Sequence, residues 1–300
     1  MKPPRSLVSA MLHAIGLSTL PGRATAQFLY VGGQTSGDVG KYNANTGVFG
    51  SPFTRPPGSS GVLVLGNTLF VAFSESSSIG AYRADTGAAI KSNFITGVNG
   101  ASALALSGNT LYVGSGNSGI VGTYNASTGA AINANLITGV VTVSSLQISG
   151  NDLFLGRTQN STVRKYDAST GVLVNRSFIA GLIAPRGFAL AGDHLFVADY
   201  GNGKVGEYSA STGAAINASF IQFSNSPSGL ALLDDRLFVA SFAQGNIEEY
   251  SVTTGSLTHH NVVTGLFNPR SLAVSIPAPE PGSAAFALLG GLGLLARRRR

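Results

Sequence analysis

Apolar and polar residues alternate along this chain in short runs, and most runs stop at a turn rich in glycine, asparagine or aspartate. The pattern is plainest between positions 146 and 179. Residues 146–149 alternate and meet a Gly150-Asn151-Asp152 turn, and residues 153–157 follow. Residues 163–166 form a third run, closed by Asp167-Ala168-Ser169-Thr170-Gly171, and 172–179 form a fourth. A period of two places successive side chains on opposite faces of a strand. Turn residues of these types reverse the chain between strands. The stretch therefore predicts four short strands, and nothing between 28 and 276 carries the three-to-four spacing of an amphipathic helix.

The same unit recurs. A Tyr followed four residues later by Thr-Gly stands at Tyr42, Tyr82, Tyr124, Tyr166, Tyr208 and Tyr250; the first interval is 40 residues and each later one 42. A second marker keeps step. Gly66-Asn67-Thr68-Leu69-Phe70-Val71 returns from Gly108, Gly150, Gly192 and Asp234, with Leu29-Tyr30-Val31 as a truncated sixth copy. Four strands in a unit of about 42 residues make the blade of a β-propeller. The reading is an all-β, six-bladed propeller spanning 27–276. The chain enters with the later strands of a unit. Residues 256–263 and 271–276 are expected to supply the earlier strands, so that the N- and C-terminal strands share one blade and leave no open edge. The repeated Tyr is expected to pack between blades, and the Thr-Gly to close a turn that needs a left-handed residue.

Composition changes this picture little. Charged residues are 11% of the chain, and there are 40 glycines and no cysteine. Disulfides, thiolate metal sites and a Cys nucleophile are thereby excluded. The net charge of +6 is concentrated at the ends. Lys2, Arg5, Arg23 and Arg297 to Arg300 account for seven of the 19 basic residues, and the remaining 12 face 13 acidic ones. Basic residues that flank apolar segments point to membrane targeting, and no nucleic-acid partner is expected.

Residues 1–26 read as a signal peptide: Lys2 and Arg5, a mostly apolar run over 7–20, then Ala24-Thr25-Ala26 ahead of a cut before Gln27. A disordered or short helical N-terminus is the alternative. Residues 277–300 hold Pro279-Glu280-Pro281, an apolar run over 282–296 and then Arg297, Arg298, Arg299 and Arg300. This resembles the PEP-CTERM sorting tail of exported Gram-negative proteins. The resemblance implies a precursor held transiently in the inner membrane, processing by signal peptidase and an exosortase, and a final place at the cell surface or in an extracellular matrix. A plain C-terminal membrane anchor is the alternative.

Leu195-Phe196-Val197-Ala198-Asp199-Tyr200-Gly201-Asn202, after Pro185-Arg186-Gly187, resembles the strand-and-turn of NHL and streptogramin-lyase-like propellers. The other blades carry Ser74, Ser115, Thr158 and Ser241 in place of Asp199. Propeller ligands sit at a channel mouth, so residues that break the repeat are the candidates: Arg186, Arg270, Asp199, Asn268 and Glu75. Arg186 and Arg270 occupy matching places 84 residues apart and have the chemistry to clamp an anionic sugar or carboxylate. Capping of turns, or pairing with carboxylates such as Asp199, is the competing role. No metal, cofactor or catalytic set is expected. Glu75, Glu207, Glu248 and Glu249 do not recur at ligand-like positions, His259 and His260 are neighbours on a strand and point apart, and His194 lies in a turn. Asn125, Asn160, Asn175 and Asn217 begin Asn-x-Ser/Thr triplets, read as part of a polar surface able to meet polysaccharide. Two functions stay open: an exported non-enzymatic binding or structural module whose partner is a polysaccharide or surface protein, and a hydrolase or lyase acting on a lactone or polysaccharide.

Overall fold

The computed structural model of the chain describes residues 27–33, 39–53, 58–140, 142–159, 161–223 and 226–275, with side chains omitted at 51–53. The expected signal peptide and sorting tail lie outside the described residues. The chain opens with β1 (Phe28–Gly32), β2 (Val39–Asn43) and β3 (Phe49–Phe53). Five complete units follow. They are β4 (Ser59–Leu65), β5 (Thr68–Phe73), β6 (Ser78–Arg83) and β7 (Ala89–Thr96); β8 (Ala101–Ser107), β9 (Thr110–Ser115), β10 (Val121–Asn125) and β11 (Ala131–Ile137); and β12 (Val143–Ser149), β13 (Asp152–Arg157), β14 (Thr162–Asp167) and β15 (Leu173–Ile179). Next come β16 (Pro185–Ala191), β17 (His194–Asp199), β18 (Lys204–Ser209) and β19 (Ala215–Gln222), then β20 (Pro227–Leu233), β21 (Arg236–Ser241), β22 (Asn246–Ser251) and β23 (Leu257–Val263). The last described strand is β24 (Ser271–Ser275).

These strands form six antiparallel four-stranded sheets arranged as a ring. Within each sheet the first strand lines the central channel and the last is the exposed outer edge. The only helical element among the described residues is a single 3₁₀ turn, Tyr200–Asn202. Closure is made by β24, which pairs with β1 from Phe28↔Ser275 to Gly32↔Ser271 in the sheet β24-β1-β2-β3. The expectation of two strands from each end is corrected here. Residues 257–263 complete the sixth unit as its outer edge, because β23 follows β22 through a tight turn and pairs with it, Tyr250↔Leu257. One C-terminal strand and three N-terminal strands make the shared blade.

The core lies between blades. Six apolar clusters of buried residues are found, each joining two neighbouring sheets; Leu29 and Val31 of the first sheet meet Phe238 and Ala240 of the last. One position of the repeat supplies a buried ring in every blade: Tyr30, Phe70, Tyr112, Phe154, Phe196 and Phe238. Burying such a ring stabilises the fold by about 3 kcal/mol or more. The six marker tyrosines are also buried. Four of them fold back over a glycine two residues earlier, where an added Cβ would meet the ring at 2.4–2.9 Å.

The Thr-Gly marker serves two purposes. The glycine has a positive φ in all six turns, from 65° to 76°. Its threonine hydroxyl accepts the amide of the residue two further on, as from Thr170 Oγ1 to Val172 N at 3.3 Å. The glycine is also a docking point. A Cβ on Gly171 would stand 2.1 Å from the carbonyl oxygen of Leu136 in the preceding blade, and Gly213 and Gly255 meet Phe178 and Phe220 in the same way.

Candidate functional site at the front mouth of the channel

The six inner strands begin around one opening, here called the front mouth, and enclose a channel of about 610 Å³. One position of the repeat governs its rim: Ser60, Ser102, Ser144, Arg186, Ser228 and Arg270, each 42 residues after the last. The serines staple neighbouring blades. Ser60 Oγ donates to Ala101 O at 2.6 Å, Ser102 Oγ to Val143 O at 2.8 Å, Ser144 Oγ to Pro185 O at 2.7 Å and Ser228 Oγ to Pro269 O at 2.6 Å. Hydroxyl-to-carbonyl bonds of this kind contribute about 1 kcal/mol each. Arg186 and Arg270 replace the staple with a long cation, and both line the channel.

A second position breaks the repeat beside them. The turn after the second strand of a blade carries Ser74, Gly116 and Thr158 in three blades, but Tyr200 and Phe242 in the next two. These two rings lie edge to face with centres 5.9 Å apart. The Arg186 guanidinium carbon sits 3.6 Å from the centre of the Tyr200 ring and 5.1 Å from that of Phe242. Arg270 stands 5.6 Å from the same Phe242 ring. Stacking on a ring face leaves the N–H edges of a guanidinium outward. Neither guanidinium makes a hydrogen bond or ion pair with a described residue. Burial lowers the Arg186 pKa, and the neighbouring Arg270 charge lowers it further against an opposing contribution from Tyr200.

The five sequence candidates therefore separate. Arg186 and Arg270 both stand against the Phe242 ring, and neither pairs with Asp199. Asp199 is fully buried. Its Oδ1 accepts the Ile183 amide at 2.6 Å and its Oδ2 accepts Asn202 Nδ2 at 2.7 Å, so it ties two loops together. Strand register also corrects its counterparts: β17 aligns with the other second strands so that Phe73, Ser115, Arg157 and Ser241 match Asp199, while Ser74 and Thr158 match Tyr200. Asn268 has φ +49°, at the position where Gly58, Gly100, Thr142, Ala184 and Ser226 are also left-handed. Asparagine tolerates that conformation, so its place in the repeat is explained by the backbone. Glu75 is exposed on the rim beside Gly58 and makes no ion pair with a described residue.

Elsewhere the titratable side chains pair off. His194 Nδ1 lies 2.6 Å from Glu207 Oε1, His260 Nδ1 is 2.9 Å from Glu248 Oε1, and His259 Nδ1 is 3.5 Å from Glu249 Oε1. The two adjacent histidines point to opposite faces, as the strand period requires. Among the described residues no three His, Asp or Glu side chains gather as a metal site. Three of the Asn-x-Ser/Thr asparagines are used by the backbone: Asn125 Oδ1 accepts the Ser127 and Thr128 amides, and Asn175 and Asn217 accept those of Ser177 and Ser219. Asn160 lies outside the described residues.

Tyr200 and Phe242 were missed by sequence reasoning. The signal was available: aligning the turns at the 42-residue period shows two aromatics where other blades carry small or hydroxyl residues.

Comparison with known proteins agrees with the fold. A family model described as outer membrane protein assembly factor BamB matches residues 91–219, from β7 to β19, which includes Arg186 and Tyr200 but not Phe242 or Arg270. No curated protein sequence matches the chain. Among solved structures, one chain of a nidogen/laminin complex superposes with a TM-score of 0.70 at 10% identity, covering 84% of this chain and 100% of its own. The computationally designed protein Ika8 gives 0.55 at 16% identity over 82% of this chain and 76% of its own. A chain of the mitotic checkpoint complex gives 0.56 at 16% identity over 84% and 75%. At such identities the likeness is one of fold: this chain is a six-bladed β-propeller.

Proposed function

We propose that this chain is an exported β-propeller that acts as a non-enzymatic binding module at the cell surface or in the extracellular matrix, with the front mouth as its ligand face. The observation that carries the reading is the convergence of repeat-breaking side chains at one mouth. Four blades in six keep the serine staple, while Arg186, Tyr200, Phe242 and Arg270 depart from the repeat around a single opening. A repeat fold needs no such departures for stability. Export and sorting rest on the resemblance of the two chain ends. The matched family model is named for an outer-membrane assembly factor, which is in keeping with an envelope location. Among the described residues no helix is long and apolar enough to cross a membrane.

The test is cell fractionation with mass measurement of the mature protein in a host that has an exosortase. The expected mature chain begins at Gln27 and lacks Arg297 to Arg300, and it is recovered with the surface or matrix fraction. Replacing Pro279-Glu280-Pro281 by three alanines should leave the precursor in the inner membrane. A double Arg186→Gln, Arg270→Gln variant should be processed normally yet escape into the medium. Recovery of wild-type protein that still carries the four arginines would overturn the sorting step. Matrix retention of the double variant equal to wild type would overturn the role of the mouth.

A further inference from the structure

Resting on the reading of the front mouth as a ligand face, we infer that its ligand is an acidic saccharide, with a carboxylate bridging Arg186 and Arg270 and a sugar ring face against Phe242.

The charge comes first. Two guanidiniums share one aromatic ring, at 5.1 and 5.6 Å from its centre, and no described carboxylate pairs with either. Two like charges held together with unpaired donors are a standing cost that a bound anion relieves. Asp199, next to Tyr200 in the chain, is buried and committed to Ile183 and Asn202. Glu75 stands on the rim in another blade and pairs with neither arginine. A planar guanidinium held by stacking offers two parallel N–H donors, which suits a planar carboxylate.

The remainder of the mouth selects what carries the carboxylate. The cations and rings come from three adjacent sheets. On the sheets beyond Arg186 the channel lining includes the neutral polar residues Asn117, Thr142, Ser145 and Thr158, beside the apolar Ala103, Val143 and Leu146. One side thus offers charge and an aromatic face, and the other offers neutral hydrogen-bonding groups. A sugar acid has that same division, with a carboxylate at one carbon, hydroxyls around the ring and C–H groups on its faces. The channel volume of about 610 Å³ admits a short oligosaccharide end.

The test is isothermal titration of the purified full-length chain with digalacturonate, with its neutral counterpart digalactose, and with inorganic phosphate. Digalacturonate should bind, and both digalactose and phosphate should bind at least about tenfold more weakly. Arg186→Gln and Arg270→Gln should each weaken digalacturonate about tenfold to a hundredfold, the loss of one charge-assisted pair. Arg270 is exposed, and Arg186 is half-buried with no hydrogen bond from its guanidinium, so the melting temperature should change little. Arg186→Lys should also weaken binding, because a point charge neither stacks nor donates two parallel bonds. Phe242→Ala should weaken both sugars while Phe242→Tyr restores them. Phosphate binding as tightly as digalacturonate would overturn the inference in favour of a bare anion site. So would equal binding of the two disaccharides. In that second case, binding that still depends on Phe242 would leave the ligand-face reading standing while the acidic-sugar inference fails. If neither disaccharide binds, the inference fails, and matrix retention of the Arg186→Gln, Arg270→Gln variant then decides the broader reading on its own.

Discussion

Two glycines with nearly the same backbone separate the two demands that the Thr-Gly marker makes. Gly171 has φ +72° and Gly181 has φ +76°. A Cβ at Gly181 would meet nothing within 4 Å, whereas one at Gly171 would stand 2.1 Å from Leu136 O and 2.9 Å from Leu136 C. Gly181→Ala therefore tests the left-handed backbone alone and should cost about 1–2 kcal/mol. Gly171→Ala adds a collision with backbone of the preceding blade, which no rotamer change relieves. The third and fourth blades must move apart by about 1 Å, which raises the total to roughly 4 kcal/mol, the range of severe core lesions. At about 2–4 °C per kcal/mol for a domain of this size, Gly181→Ala should lower Tm by about 2–8 °C and Gly171→Ala by about 8–16 °C. Calorimetric melts of the two variants against wild type, with chemical denaturation as a second measure, make the comparison. Equal losses would refute the argument, because they would mean the glycine recurs only for its φ and does not seat one blade on the next.

Further outcomes follow from closure, packing and charge. Deleting residues 28–31 removes Leu29, Tyr30 and Val31, all buried, and uncouples β24 from β2, so limited proteolysis should find the whole domain degraded and not one blade alone. Phe196→Ala should cost about 3–5 kcal/mol in a denaturant titration, since the ring is fully buried between two blades. Asp167 is held well below the usual carboxylate range by the Ser169 hydroxyl and then by the Thr170 amide and hydroxyl. Its contribution is complete above about pH 4 and is lost as pH falls through the depressed value, so Asp167→Asn should flatten the acid limb of a stability-versus-pH curve. Burial, with the Glu248 carboxylate as acceptor and neighbouring charge, raises the Tyr250 hydroxyl pKa. Stability should therefore be complete below about pH 10 and decline as pH rises beyond it, with Tyr250 among the last phenols to ionise in an absorbance titration.

The repeat was legible because its markers mark physical necessities. The marker tyrosines must fill buried space, four of them over a glycine two residues earlier, and Gly171 and its equivalents must be left-handed and small where two blades touch. Such requirements recur at each blade and so appear as a period. Closure was legible in kind but not in detail. Residues 257–263 looked like the start of a new unit because the chain approaches its end there, while pairing with β22 makes them the edge of the last complete one. The mouth was half legible. Arg186 and Arg270 stood out as charges in a chain with few of them. Tyr200 and Phe242 did not, since an aromatic residue in a strand-rich protein draws no notice until the turns are aligned. Asp199 stood out as a break in the repeat, whereas its two oxygens are used inside the loop.

Whether the front mouth holds a ligand through its two arginines can be seen in a crystal structure of the chain with digalacturonate. Sugar density is expected at that mouth alone, with carboxylate oxygens about 3 Å from nitrogens of both Arg186 and Arg270. A mouth empty of sugar at saturating concentration, or density on the outer strands instead, would contradict it.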